Sequence, residues 1–530
     1  MALAKILSAQ PTLLGGTLIT IEADLAKGLH TFTIVGLPDK AVEEARDRVS
    51  AAIKNSGWKS PKQRNQKITI ALAPADIKKS GPIYDLPIAL SYLLGAEDIR
   101  FDSKGKLFIG ELALDGTVRP VHGVLAIALM AKTKGIIELY VPKENAEEAA
   151  LISGIKIFPV RSLRELIFHL SEESEIGHNE EGVGVGIILE KISPQPATLF
   201  NKKSPEKSAH AFTEIRGQET AKRGLMIAAA GGHNIAMWGP PGTGKTMLAR
   251  AFSELLPELS EEEAIEVTAI HSITGESRGN IITTPPFRSP HHTASYVSVI
   301  GGGATPKPGE VTLAHRGVLF MDEFPEFDKR VIESLRQPLE EGMVHISRAK
   351  GSERFPARFM MIAAMNPCPC GYYGDSKKSC SCSPMTISRY QRKISGPIVD
   401  RIDLWIEVPR IEHSTLVPGK QKDGGGVFAE FTAQIDSARA HQKNRFTKFP
   451  HIKTNADMGV RDIDRLIHLD ENVSALLNES AKKIDLSPRA YHRVIKLART
   501  IADLDESRHI SEAHILEALQ YRPKKLFATL

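Results

Sequence analysis

Eight consecutive residues, Gly239, Pro240, Pro241, Gly242, Thr243, Gly244, Lys245 and Thr246, match the phosphate-loop pattern G-x-x-x-x-G-K-[ST] without a mismatch. Glycines let successive backbone N–H groups close around phosphate oxygens, and a helix N-terminus beyond them adds favourable dipole charge. Lys245 would reach the β- and γ-phosphates, and the Thr246 hydroxyl would ligate Mg²⁺. Further on, the apolar run Gly317–Met321 ends in Asp322 and Glu323. Carboxylates at a strand exit can hold Mg²⁺ through water, the role expected for Asp322, and activate an attacking water, the role expected for Glu323. A third apolar run, Arg358–Met365, ends at Asn366, where an amide could position that water.

A second chemical cluster is Cys368-Pro369-Cys370 followed by Cys380-Ser381-Cys382, which together hold all four cysteines of the chain. Four thiolates make a closed tetrahedral Zn²⁺ site, although paired C-x-C is tighter than the usual finger spacing. Buried or redox-inert thiols are the alternative reading. Lys377 and Lys378 lie in the loop between the pairs, as candidates for contact with nucleic acid.

Elements must exist to place these groups. Asn234–Trp238 reads as a short buried strand ahead of the phosphate loop, and Met247–Phe252 opens an apolar helical pattern behind it. At 530 residues the chain exceeds a single core. Residues 1–170 alternate strand-like and helical stretches, with strands at Leu18–Ile21, Thr31–Val35, Ile68–Leu72 and Lys106–Ile109. Residues 171–208, acidic and then rich in glycine and proline, read as a linker, and 209–412 form the nucleotide core with the cysteine insertion at 368–382. A glycine-rich gap at 413–430 precedes a region of helical periodicity, 431–530, expected to be a helical lid. The fold class is therefore α/β, a parallel sheet with a phosphate loop, flanked by an N-terminal α/β domain and a C-terminal helical lid.

Composition, 42% hydrophobic and 25% charged, is that of an ordinary globular chain, and the net charge of +5 permits nucleic-acid contact without requiring it. No apolar run approaches the ~20 residues of a membrane span. The N-terminal residues lack the features of a signal peptide, so a cytoplasmic location is expected.

The strand, loop and carboxylate set resembles the AAA+ ATPases, with Asn366 at the position of their first sensor. Phe355–Phe359, Asn366-Pro367 and Val399–Asp403 narrow this to the ATPase subunits of magnesium chelatases and their relatives. That resemblance implies that Arg401 is a finger acting on a neighbouring subunit's nucleotide, hence a ring, expected to be a hexamer. It also implies that Arg489, in Leu486–Ala490, is a second sensor in cis, and that Ile215 lies where adenine packs. Between the carboxylates and Asn366, the stretch Met343–Arg354 alternates apolar and polar residues about Gly351, as a β-hairpin does. In ring ATPases of this clade such a hairpin faces the pore, where Arg348, Lys350 and Arg354 would meet DNA phosphates. A solvated charged hairpin fits the residues as well. His291-His292 is read as a pore loop or turn, since adjacent histidines are awkward co-ligands. A basic stripe of Arg489, His492, Arg493, Lys496 and Arg499 fits a solvated face, Arg489 apart.

Val35–Arg46, Ala73–Lys79 and Gly110–Gly116 are similar to the N-terminal domain of the ComM/YifB family, whose fold is that of the Lon protease domain. Lon chemistry needs a serine nucleophile and a lysine base. Near Gly81–Leu86 only Ser80 is present, Val121–Ala128 carries no lysine, and Lys132 is too far along, so peptidase chemistry is not expected. The family resemblance implies ATP-driven helicase or branch-migration activity on DNA during natural transformation. Remodelling of a protein partner, as in chelatases, is the second expectation and ATP-dependent proteolysis the third.

Overall fold

A computed structural model describes residues 4–171, 190–198, 200, 210–276, 281–303, 307–348, 351–375, 377–411 and 424–523. The chain forms two compact units, one of residues 1–202 with 261–282 and the other of 203–260 with 283–530. No helix among the described residues is long and apolar enough to cross a membrane.

The first unit is built on a mixed seven-stranded sheet of β1 (Ala4–Thr12), β2 (Gly15–Lys27), β3 (Thr31–Val35), β4 (Gln66–Ala73), β5 (Lys106–Phe108), β6 (Glu138–Pro142) and β7 (Lys156–Val160). Its order is β3-β4-β2-β1-β5-β6-β7, with β1, β2 and β4 antiparallel in succession and the outer pairs parallel. Ile68, Ile70 and Leu72 alternate inward along β4, the period expected of a strand with one buried face. The helix Lys40–Asn55 starts where Asp39 Oδ1 accepts the Val42 N–H at 2.9 Å, and it buries Val42, Ala45, Val49, Ala52 and Ile53 at helical spacing.

Two features depart from the expected boundaries. The helix Glu261–Thr274, placed in the nucleotide core by its position in the sequence, belongs to the first unit. Ala269 joins that unit's core, and Ser272 Oγ accepts the Gly123 N–H at 3.2 Å. Residues 190–198, assigned to the linker, also lie on this unit: the Gln195 N–H bonds Ile157 O at 2.8 Å and Ile192 is buried.

The second unit holds five parallel strands, β8 (Ile235–Trp238), β9 (Phe287–Arg288), β10 (Val318–Met321), β13 (Met360–Met365) and β14 (Leu404–Glu407). Between β10 and β13 comes the antiparallel hairpin β11 (Met343–Arg348) and β12 (Gly351–Pro356). The parallel sheet runs β9-β10-β13-β8-β14, and β8 and β10 are buried along their whole length, as strands covered on both faces must be. β8 comes first in sequence yet lies between β13 and β14, so the strand order reverses beside it, and the crevice at that switch point is where α/β sheets bind ligands.

The C-terminal helices Gly424–Arg445, Glu471–Lys483, Pro488–Leu504 and Glu512–Gln520 share a core with this sheet, Ile435, Leu477, Val494 and Ile501 packing in one cluster with Ile235 and Phe320. The basic stripe on Pro488–Leu504 is largely not a solvated face. Arg493 pairs with Asp403 and donates to Arg401 O, Lys496 donates to Ala456 O at 2.9 Å, and Arg499 pairs with Asp503 at 2.8 Å. Arg493 thus fastens the helix to the chain just before β14, while Lys496 and Arg499 bond within the helical layer. Asp403 also accepts the Asn234 N–H at 3.0 Å. Burial alone would raise its pKa, but Arg493 and His233 hold it well below the usual carboxylate range. We expect Asp403→Ala, which takes the carboxylate from the partly buried Arg493 and leaves it only Arg401 O, to cost about 3–5 kcal/mol in urea unfolding of the second unit. A change below about 1 kcal/mol would show the clamp to be idle. Because the folded pKa is depressed, this stabilisation is present above the ordinary carboxylate range and is lost as pH falls through the folded value.

Candidate functional site

The phosphate loop joins β8 to the helix Lys245–Leu255. Gly239 has no room for a side chain, since a Cβ there would stand 2.2 Å from Val408 O beyond β14. Gly244 caps the helix at φ 90°, a left-handed conformation that opens the turn in front of the helix N-terminus. Lys245 Nζ donates to Gly239 O at 2.8 Å, Pro240 O at 2.9 Å and Asn366 Oδ1 at 3.3 Å. Burial lowers its pKa to about 8, against the pull of Asp322. The ammonium is thus folded back over its own loop and touches the amide at the tip of β13. Thr243 braces the turn by donating to Pro240 O at 3.0 Å.

Thr246 Oγ1 donates to Asp322 Oδ2 at 2.8 Å, and Asp322 Oδ1 accepts the Glu323 N–H at 2.9 Å. A hydroxyl facing a carboxylate beside a phosphate cradle fits Mg²⁺, which both oxygens would hold. Such an ion would neutralise charge on the β- and γ-phosphates. Glu323 has φ 51°, which turns its half-exposed side chain away from the strand line. His292 Nδ1 stands 3.1 Å from its Oε2. The two histidines differ: His292 sits on the carboxylate that would activate water, while His291 Nδ1 lies 2.8 Å from Thr293 Oγ1 within the turn. The only sequence signal for this was a polar loop following a strand of the same sheet.

Ile215 is buried, and Gln218 nearby donates to Pro409 O at 2.8 Å, linking this segment to the chain beyond β14. Arg401 is buried and engaged inside its own chain, where Nη1 donates to Pro397 O at 2.7 Å and Nη2 pairs with Glu340. Exposed Arg489 approaches the same carboxylate, 3.7 Å from Glu340 Oε1. Glu340, which no motif marks, thus collects both arginines.

The four cysteine sulfurs lie within 4.8 Å of one another. Sγ of Cys368 is 3.4 Å from that of Cys370 and 3.7 Å from that of Cys380, and Cys370 to Cys380 is 3.5 Å. A regular Zn–S₄ tetrahedron with bonds of about 2.3 Å has edges of roughly 3.8 Å. The donor set therefore fits zinc, with Cys382 as the fourth thiol. In the hairpin, Val344 and Ile346 are buried and Arg354 is exposed opposite His345, whereas Arg348 is described in backbone only and Lys350 lies outside the described residues. Lys377 and Lys378 are exposed, and Lys378 Nζ stands 5.1 Å over the Tyr372 ring.

We expect Lys245→Ala to weaken ATP binding about 100-fold, because a charged donor to two phosphates is lost. Titration with a fluorescent ATP analogue measures this, and an unchanged affinity would refute the role.

The family model of magnesium chelatase subunit ChlI matches residues 211–416, that of subunit ChlI of Mg-chelatase matches 21–145, and that of the ChlI C-terminal region matches 428–522. Competence protein ComM of Haemophilus influenzae is 40% identical over 524 residues, covering 98% of both chains. Protein YifB of Escherichia coli, described as uncharacterized, is 41% identical over 510 residues, 95% of this chain and 94% of the relative. The DNA replication licensing factor mcm-6 of Caenorhabditis briggsae is 23% identical over 414 residues, 71% of this chain and 47% of that protein.

Proposed function

Since the chain belongs to the ComM/YifB family of magnesium-chelatase-like AAA+ ATPases, we propose that it is a ring-forming, hexameric motor that spends ATP to unwind or branch-migrate DNA in the cytoplasm, during recombination in natural transformation. The observation that carries the ATPase part is the convergence of Lys245, Asn366, Thr246 and Asp322 at the switch point of a parallel sheet. In this reading ATP lies along Gly239–Thr246 with its adenine near Ile215. Mg²⁺ is held by Thr246 and Asp322. Glu323 takes a proton from water that Asn366 orients, and Arg489 in cis and Arg401 from a neighbour meet the γ-phosphate.

DNA is favoured as the substrate by the exposed Arg354 on the hairpin and by Lys377 and Lys378 on the cysteine knuckle, which we read as a zinc site. The names of two relatives, a competence protein and a DNA replication licensing factor, point the same way. The N-terminal unit is read as a Lon-like domain without peptidase chemistry. Ser80 Oγ is met by Gln10 Nε2 at 3.2 Å, and the buried Lys79 donates its Nζ to Pro74 O.

The match to the magnesium chelatase subunit ChlI model supports a second reading, an ATP-dependent remodeller of a protein partner. Strand displacement from forked and four-way DNA, with ATP and with a non-hydrolysable analogue, separates the two. ATP-dependent displacement is expected, and none on any branched substrate would favour the protein partner.

A further inference from the structure

The cysteine knuckle begins two residues after Asn366, and it rests on the phosphate loop. Gly371, at φ 83°, packs so closely on Pro241 that a Cβ at 371 would stand 2.6 Å from Pro241 Cδ and 3.2 Å from its Cγ. The Gly371 N–H bonds Cys368 O at 2.9 Å, so the residue touching the loop lies in the turn that brings Cys368 and Cys370 together. A second anchor ties the far side of the knuckle to the strand layer. Asp375 pairs with Arg410 Nε at 2.7 Å, and the Arg410 guanidinium stands 5.5 Å over the Tyr372 ring, with the Lys378 ammonium also over that ring. Arg410 follows β14 by three residues, and Val408 in between is the residue whose carbonyl abuts Gly239. The loop is therefore backed at Gly239 by the exit of β14 and at Pro241 by the knuckle.

We propose that the metal-bound knuckle is a strut for the phosphate loop, so that zinc occupancy sets nucleotide affinity. This rests on the reading of the four cysteines as a zinc site. Three sulfur pairs stand 3.4–3.7 Å apart, carried on the two short segments 368–370 and 380–382. A cation that joins four thiolates fixes those segments relative to each other, and a knuckle is otherwise too small to bury a core of its own. Without the metal, the turn at Gly371 is free to leave Pro241, and the loop loses one of its two backings. The zinc acts here as a structural part of the ATP site and takes no part in hydrolysis.

The test uses the full-length chain in three forms: wild type, Cys380→Ser/Cys382→Ser, and Gly371→Ala. Zinc is measured by elemental analysis, and affinity by titration with a fluorescent ATP analogue. We expect about one zinc per wild-type chain. The double variant should lose the zinc and bind nucleotide at least about tenfold more weakly. Gly371→Ala keeps all four thiols, so it should retain zinc and still bind more weakly, because its Cβ displaces Pro241. Zinc-free protein or Gly371→Ala with wild-type affinity would overturn the strut while leaving the zinc site standing. Wild-type protein that binds no zinc, even when refolded with it, would overturn both. If the double variant fails to fold, Gly371→Ala alone decides.

Discussion

Arg401→Ala is expected to lower ATP turnover about 10³–10⁵-fold, the range of arginine fingers, while nucleotide affinity stays near that of the wild type. The guanidinium is held by Glu340 and by Pro397 O of its own chain, so acting on a neighbour requires it to leave Glu340. That carboxylate is exposed and also faces Arg489, so it keeps a cationic partner when Arg401 leaves. Mixing separates a trans finger from a structural arginine. Arg401→Ala subunits keep the phosphate loop, and Lys245→Ala subunits keep the finger, so a mixed ring should recover turnover that neither variant has alone. Absence of rescue, together with weaker folding of Arg401→Ala, would make the residue a structural brace.

Glu323→Gln is expected to slow hydrolysis about 10²–10⁴-fold, the contribution of a positioned general base, with ATP binding intact. The substitution preserves size and leaves Thr246 and Asp322 at 2.8 Å to hold Mg²⁺, so binding and chemistry should part company. Rapid quench of a single turnover should then find ATP uncleaved on the protein long after the wild type has released phosphate. Wild-type rates in the variant would transfer the base role elsewhere. His292, 3.1 Å from Glu323, would be the first group to test.

The local parts of the site were legible because each is short in sequence and dictated by backbone chemistry. A glycine turn between an apolar strand and a helix, carboxylates at a strand exit, and alternation around Gly351 all specify their own geometry. The fold class followed from the same signals, since continuous apolar runs such as Val318–Met321 imply a parallel sheet. Long-range partners were not legible. Nothing local tells that Arg493 and Lys496 turn inward to Asp403 and Ala456, since a basic helical stripe reads the same whether its acceptors are water or distant residues. The helix Glu261–Thr274 carries apolar residues that fit either unit, and its tertiary contacts, Ala269 in the first core and Ser272 with Gly123, assign it. Glu340 and Gly371 match no motif, and their importance comes from what tertiary structure brings against them.

The most direct measurement is steady-state ATP turnover by the purified chain, with forked DNA, with unbranched duplex and without DNA, alongside Glu323→Gln as a blank. Turnover that depends on Glu323 and rises on forked DNA is expected. Turnover that is absent, or that is the same with and without DNA, would contradict a DNA motor and leave a remodeller of a protein partner.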